Sequence, residues 1–429
     1  MRTMIIGAGI GGLTTALSLH AAGLDCVVVE VVKELRPLGV GINLQPHAVR
    51  ELTELGLADE LAASGVETTF MTFTDRFGNE IVALPRGRSA GYRWPQYSIH
   101  RGNLQMILLA AVEKRLGPAR TGRRLEDFEQ DGAGVTVTLR DLSSGEVLRE
   151  RVDVLIGADG VLSSVRARLH ARLHARLHAR LHERPEPLMW GGVRMWRGLA
   201  VSDQRVMDGA TVLVAGSSTH AKFVAYHVSA ADPRLVNWVA EVKVAEGGEI
   251  DEETDWSRRG RLEDVLEHFT GWTHRHFDVA GLIRASERVL EYPMVDRDPL
   301  TSWGEGRVTL LGDAAHPLYP LGSNGGSQAV LDARVLARCL ATSDDPAEGL
   351  KAYEAERLPL TTALLHGHRR MAMDESVDLV SERAPHGFSH ISDVLTEEEL
   401  TVVADGQHQI SDADVRELNE RPSWSVRRP

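Results

Sequence analysis

At 429 residues, with 43% apolar and 25% charged side chains, the chain exceeds one ordinary core and has the composition of a globular protein. Its formal charge of −13 disfavours nonspecific attraction to nucleic acid or anionic lipid, so neither nucleic acid nor membrane is expected as a partner. Two cysteines, Cys26 and Cys339, make no disulfide framework, no apolar run approaches the length of a membrane-spanning helix, and the opening residues show no signal-peptide pattern. A cytoplasmic location is therefore the expectation.

Met4-Ile5-Ile6 predicts a short strand that runs into Gly7-Ala8-Gly9-Ile10-Gly11-Gly12, and Leu13 to Ala22 predicts a helix behind it. A second strand, Cys26 to Val29, ends in Glu30, 23 residues after Gly7. This order of strand, glycine turn, helix, strand and acid matches the dinucleotide-binding fingerprint. Gly7 permits the turn, Gly9 lets backbone approach a pyrophosphate, and Gly12 lets helix and strand pack closely. The helix N-terminus presents N–H groups to the anion, and Glu30 would accept hydrogen bonds from ribose hydroxyls. The loop alone does not separate NAD from FAD.

Two later segments bear on that choice. Val154 to Gly160 is an apolar strand ending in Ala158-Asp159-Gly160 and continuing to Arg166. Val308 to Pro317 repeats the design around Gly312-Asp313 and leads into Gly322-Ser323-Asn324-Gly325-Gly326, with a helical pattern from Ser327 to Ala337. A carboxylate at a strand end is placed to accept hydrogen bonds from sugar hydroxyls. With its N-terminal GxGxxG, central DG and later GD motifs in order, the chain resembles the single-component FAD-dependent aromatic hydroxylases over about residues 1 to 365. The resemblance implies FAD as cofactor, Asp313 against its ribitol or ribose, and Asp159 in a segment serving both FAD and the nicotinamide. It places Gly322, Asn324 and Gly325 beside the pyrimidine end of the flavin, where the helix dipole favours negative charge on the reduced ring.

Longer stretches are similar to one branch of that family, the pyocyanin-forming type of flavin monooxygenase that acts on phenazine carboxylates. They are Arg36 to Pro46, Pro95 to Gly102 and Tyr292 to Leu300. This likeness implies that Arg36 and the Gly39 to Asn43 turn, Gly41 included, run along FAD, with Arg101 and Gln105 near its phosphate and ribose. An arginine there has an electrostatic reason, because a pyrophosphate calls for a cation besides the helix N-terminus.

Between the DG and GD motifs, Val193 to Val201, Thr211 to Ala215, Ala221 to Val228 and Leu235 to Val242 read as strands of an antiparallel sheet. The resemblance makes this sheet the substrate domain, with Trp196, Arg197, Tyr226, His227, Trp238 and Tyr292 as candidate lining. Aromatic rings stack on a planar substrate and Arg197 suits a carboxylate or phenolate. Tryptophans in sheets are also commonly core residues, and alternation alone does not say which face meets the flavin.

The expected fold is α/β: a Rossmann-like FAD-binding domain with an inserted, mainly antiparallel β-sheet substrate domain and C-terminal helices. The expected spans are 1–185 and 296–370 for the FAD-binding domain, 186–295 for the sheet and 371–429 for a helical tail in which no chemistry is legible. Residues 167–182 are four copies of Ala-Arg-Leu-His, a composition that predicts helix; the reading is a tolerated extension and self-association surface, which makes a homodimer an expectation. No metal site is expected, since that tract has no carboxylate or cysteine beside its histidines.

The implied reaction is hydroxylation of an aromatic small molecule with O2 and with NADH or NADPH as transient reductant, extending to hydroxylative decarboxylation of a phenazine carboxylate. The flavin carries the oxygen chemistry and no side chain is assigned a catalytic role. Two alternatives stay open: a flavin monooxygenase modifying a polyketide-like antibiotic, and a non-catalytic flavin redox sensor.

Overall fold

The computed structural model describes residues 1–177, 187–218, 220–250, 258–320, 322–370, 372–401 and 414–426, and side chains within these except 172–177, 292 and 372–376. The predicted opening is present as the strand Arg2–Ile6, the helix Ile10–Ala21 and the strand Asp25–Val29. Together with Val154–Gly157 and Val308–Leu310 these strands form a parallel sheet, with Arg2–Ile6 between Asp25–Val29 and Val154–Gly157. Parallel strands covered on both faces read as continuous apolar runs. Met4, Ile5, Leu155, Ile156, Val308 and Leu310 are accordingly buried in the largest core cluster.

The glycine, DG and GD turns all leave the C-terminal ends of adjacent parallel strands, where open α/β sheets place their ligands. Gly7 has φ of 109°, and a Cβ there would lie 2.3 Å from the Ala158 carbonyl oxygen. The glycine thus lets the first and the DG turn close on each other.

The large antiparallel-dominated sheet takes the predicted strands as Leu188–Val201, Thr211–Gly216, Ala221–His227 and Leu235–Lys243. It also takes Phe70–Thr74 and Glu80–Pro85, well ahead of 186–295, with Phe70–Thr74 pairing parallel to Thr211–Gly216. One face packs on Leu262–Leu266 and Val279–Arg284 through Val265, Leu282 and Ile283. On the other face Val377 and Val380, from the helix Ala372–Arg383, join Met71, Phe73, Val212 and Val214.

The tail therefore has structural work that its sequence did not disclose. Its last described stretch docks on the helix Pro46–Glu54, where Arg50 Nη1 donates to the carbonyls of Leu418 and Arg421, each at 3.0 Å. The helix from the Ala-Arg-Leu-His repeat is described over Ser164–Leu177; positions 178–182 of that expectation lie outside the described residues. Among the described residues no helix is long and apolar enough to cross a membrane, and no group of three metal-type side chains converges.

Candidate functional site

One cavity of about 880 Å³ runs from the glycine loop to the face of the large sheet. Gly7, Gly9, Gly11, Glu30, Arg36, Arg101, Gln105, Asp159, Asp313, Gly322, Asn324 and Gly325 all line it. The lining spans sequence from residue 6 to 329, and the strand ends described above are what gather it.

At one end the Ile10–Ala21 helix points its N-terminus at the cavity behind Gly9. A Cβ on Gly9 would meet no atom within 4 Å, so the empty space there belongs to the cavity and is shaped for a ligand held against bare backbone. Gly12 differs: its Cβ would sit 2.0 Å from the Gly7 carbonyl oxygen, and it does not line the cavity. Glu30 accepts from the N–H groups of Ala8 at 2.7 Å and Val32 at 2.9 Å, and Gln105 Nε2 donates to the Ala8 carbonyl at 2.7 Å. The two side chains fix the glycine loop from opposite sides.

Gly41 does not line the cavity either. Its N–H donates to Asn237 Oδ1 at 2.7 Å, and a Cβ would press on Asn237 and Val228, so it joins the Gly41–Leu44 strand to the large sheet rather than facing a ligand. Arg36 pairs with Glu34 at 2.6 Å on the exposed rim, and Arg101 reaches the Leu38 carbonyl at 3.4 Å. Asp159 caps the Ser164–Leu177 helix. Its Oδ2 accepts from the Ser164 N–H at 2.7 Å, the Ser164 hydroxyl at 2.9 Å and the Val165 N–H at 3.2 Å, and its Oδ1 accepts from the Ser163 hydroxyl. Helix capping thus occupies much of its acceptor capacity. Arg166 is buried and donates to the carbonyls of Ala314 and Ala315, tying that helix to the GD turn.

Asp313 is the contrasting carboxylate. Its side chain is exposed to the cavity, with protein packed closely around it, and no described residue donates a hydrogen bond to it. Burial pushes its pKa above the ordinary range, against the opposing pull of His316 and Arg101. A ligand hydroxyl would relieve that cost.

Behind it lies a buried polar chain. Asp332 accepts from His316 Nε2 at 2.6 Å, Arg357 Nε at 2.7 Å and the Gly312 N–H at 3.1 Å. Burial pushes Asp332 up, but His316 and Arg357 outweigh it and hold the carboxyl at about 2. Arg357 continues to Gln328 Oε1 at 2.6 Å, Gln328 Nε2 to Asn324 Oδ1 at 3.3 Å, and Asn324 Nδ2 lies 3.1 Å from His368 Nε2. Asn324 begins the helix Asn324–Thr342, whose N-cap Ser323 is held at φ 59°. A left-handed serine is uncommon, and here it turns the helix start toward the cavity.

The sheet closes the other end. Alternation sends Met195 and Arg197, Val212 and Val214, Lys222, Val224 and Tyr226, and Val239 and Glu241 to the cavity. Trp196 and Trp238 go the opposite way, into the core under the Val279–Arg284 helix, where Trp238 Nε1 donates to Ser286 Oγ at 2.7 Å. His227 also leaves the cavity; its Nε2 accepts the Val206 N–H at 3.1 Å, and burial lowers its pKa.

Of the predicted lining, Arg197 and Tyr226 thus reach the cavity, whereas Trp196, His227 and Trp238 do not. The side chain of Tyr292 lies outside the described residues. Trp196 and Arg197 are sequence neighbours, as are Tyr226 and His227, so a strand had to send one of each pair away. Met71, Phe73, Lys222 and Glu241 were missed; Lys222 shares the phase of Tyr226 on its strand and Glu241 the phase opposite to Trp238, but which phase meets the cavity is set by strand pairing.

A family model described as FAD binding domain matches residues 1–367. The phenazine 1,6-dicarboxylic acid hydroxylase of Lysobacter antibioticus is 46% identical over 375 residues, covering 85% of this chain and 88% of that one. A 3-amino-4-hydroxybenzoate 2-monooxygenase of Streptomyces platensis is 34% identical over 376 residues, covering 86% of each. Klebsiella pneumoniae HpxO, solved with FAD and uric acid, superposes with a TM-score of 0.74 at 25% identity, over 95% of this chain and 97% of that one.

Proposed function

From the premise that the chain belongs to the FAD-binding aromatic hydroxylases, and is an FAD-dependent monooxygenase, we propose that its substrate is a planar aromatic carboxylate of the phenazine type. The observation that carries this reading is the continuity of the cavity. The glycine loop, Asp313 and the start of the Asn324–Thr342 helix lie at one end, and a flat, largely apolar sheet face bearing Arg197 and Tyr226 lies at the other.

These residues fit FAD. The space beside Gly9 and the two helix N-termini suit the pyrophosphate and the pyrimidine end of the ring. Asp313 suits a sugar or ribitol hydroxyl. When bound, FAD supplies hydride acceptance from NADH or NADPH and the activation of O2. The protein's share is placement: Val224 and Val239 exclude water over the ring, Arg197 adds positive charge to the wall that favours entry of an acid, and Tyr226 bounds the far side. Where the attacked carbon bears the carboxylate, one carboxylate, O2, one NAD(P)H and two protons give the phenol, CO2, NAD(P)+ and water.

The test is NAD(P)H oxidation and oxygen uptake by the FAD-loaded protein with and without phenazine-1-carboxylate, with product mass. Stimulated oxidation and a hydroxylated product, with or without loss of CO2, support the reading. An unchanged rate and unmodified phenazine reject this substrate.

A further inference from the structure

Strand pairing lays the cavity face of the sheet out as a grid. One row reads Arg197, Val239, Val224, Val214 and Phe73 across five strands. In the adjacent row Glu241 stands directly opposite Lys222, their charged groups 2.8 Å apart and their side chains 9% and 6% exposed. Both line the cavity.

A buried ion pair contributes little net stability, because desolvation offsets the attraction, and a well-packed apolar pair would serve the fold as well. What this pair adds is an ammonium held in a water-poor wall beside an apolar ring-sized surface. We propose that Lys222 is a specificity-determining residue, recognising the carboxylate of the aromatic acid, with Glu241 positioning its ammonium. This rests on the aromatic-acid reading of the cavity. The Lys222–Glu241 pair is neutral, so an incoming anion meets no net repulsion. An ammonium has three donors, so Lys222 keeps one on Glu241 and gives another to the ligand.

The row order also orients the ring. With the carboxylate at Lys222, the fused rings lie under Val224 and Val239 and point toward Tyr226, four residues and about 13 Å along the same strand. A neutral ring has no such preference.

The test uses FAD-loaded protein and two probes, phenazine-1-carboxylate and unsubstituted phenazine, with Kd read from perturbation of the flavin absorbance. In the double variant Lys222→Met with Glu241→Gln, which buries no lone charge, the acid is expected to bind about 10- to 100-fold more weakly, the range of a charge-assisted hydrogen bond, while the neutral ring keeps its affinity. Glu241→Gln alone, which loosens the ammonium but keeps its charge, is expected to weaken the acid by less than the double variant does and to leave the neutral ring unaffected. A pair with only a structural role weakens both probes alike in every variant, and an acid-to-neutral Kd ratio unchanged in the double variant overturns the proposal. Wild-type protein that binds neither probe overturns the aromatic-acid reading itself, and the assignment of Lys222 with it.

Discussion

Replacing Gly9 and Gly12 with alanine separates ligand space from packing space within a single loop. At Gly12 the new methyl would lie 2.0 Å from the Gly7 carbonyl oxygen and 3.4 Å from Ala158 Cβ. Backbone on one side leaves no flexible side chain to yield, so the cost falls at or above the top of the usual overpacking range of about 1–3 kcal/mol. At Gly9 nothing lies within 4 Å of the same methyl, and φ is −77°, so alanine is unstrained in the flavin-free protein. The methyl does occupy the space where a pyrophosphate would meet the helix N-terminus. An overpacking cost of about 1–3 kcal/mol there weakens FAD by about 5- to 150-fold. The assays are chemical denaturation of the flavin-free protein and FAD titration by quenching of flavin fluorescence. Gly9→Ala is expected to cost little stability beyond the small penalty of alanine at a helix N-cap and to weaken FAD in that range; Gly12→Ala is expected to lose stability first. A Gly9→Ala protein that binds FAD like the wild type refutes the placement of the pyrophosphate, and a Gly12→Ala protein with wild-type stability refutes the packing argument.

Asp313→Asn is expected to make the flavin-free protein more stable at neutral pH while weakening FAD. The raised carboxyl pKa means that Asp313 favours folding only at low pH, so denaturation midpoints of variant and wild type converge as pH falls toward the ordinary 3.8. Asp332→Asn works in the opposite sense: it leaves Arg357 buried without its carboxylate and is expected to cost about 3–5 kcal/mol at pH 7. Because Asp332 is held at about 2, that stability is present above its ordinary 3.8 and is lost as pH falls toward 2, where the gap between variant and wild type narrows in urea titrations. Trp238→Phe removes the bond to Ser286 and trims the ring stacked on Phe223 at 5.9 Å, and is expected to lower stability by about 1–3 kcal/mol with KM for the aromatic acid unchanged. Tyr226→Phe is expected to do the reverse, shifting KM with little loss of stability, and a KM change in Trp238→Phe alone would contradict the facing of the sheet.

The nucleotide fingerprint was legible because its chemistry is local. Gly7, Gly9, Gly12 and Glu30 fall within one strand–helix–strand unit, and the turn conformation and close contacts that call for glycine act over a few residues. The turns carrying Asp313 and Asn324, which line the cavity, were legible because each stands next to its own apolar strand or helix. Four strands of the large sheet also followed from their own patterning, three of them to within one residue at either end, whereas Leu188–Val201 begins five residues before the predicted Val193.

Their facing did not follow. Period-2 alternation gives two sets of residues per strand, and only the pairing of Leu188–Val201 with Leu235–Lys243, and the helices packed beneath, selects which set meets the cavity. That choice sent Trp196 and Trp238 to the core and brought Lys222 opposite Glu241, 19 residues away along the chain. Joining Phe70–Thr74 to a strand some 140 residues later, and laying the Ala372–Arg383 helix against the same sheet, were likewise settled by tertiary packing. Apolar burial rewards any face of suitable shape, so the partner of an apolar stripe is decided only when the whole chain has packed.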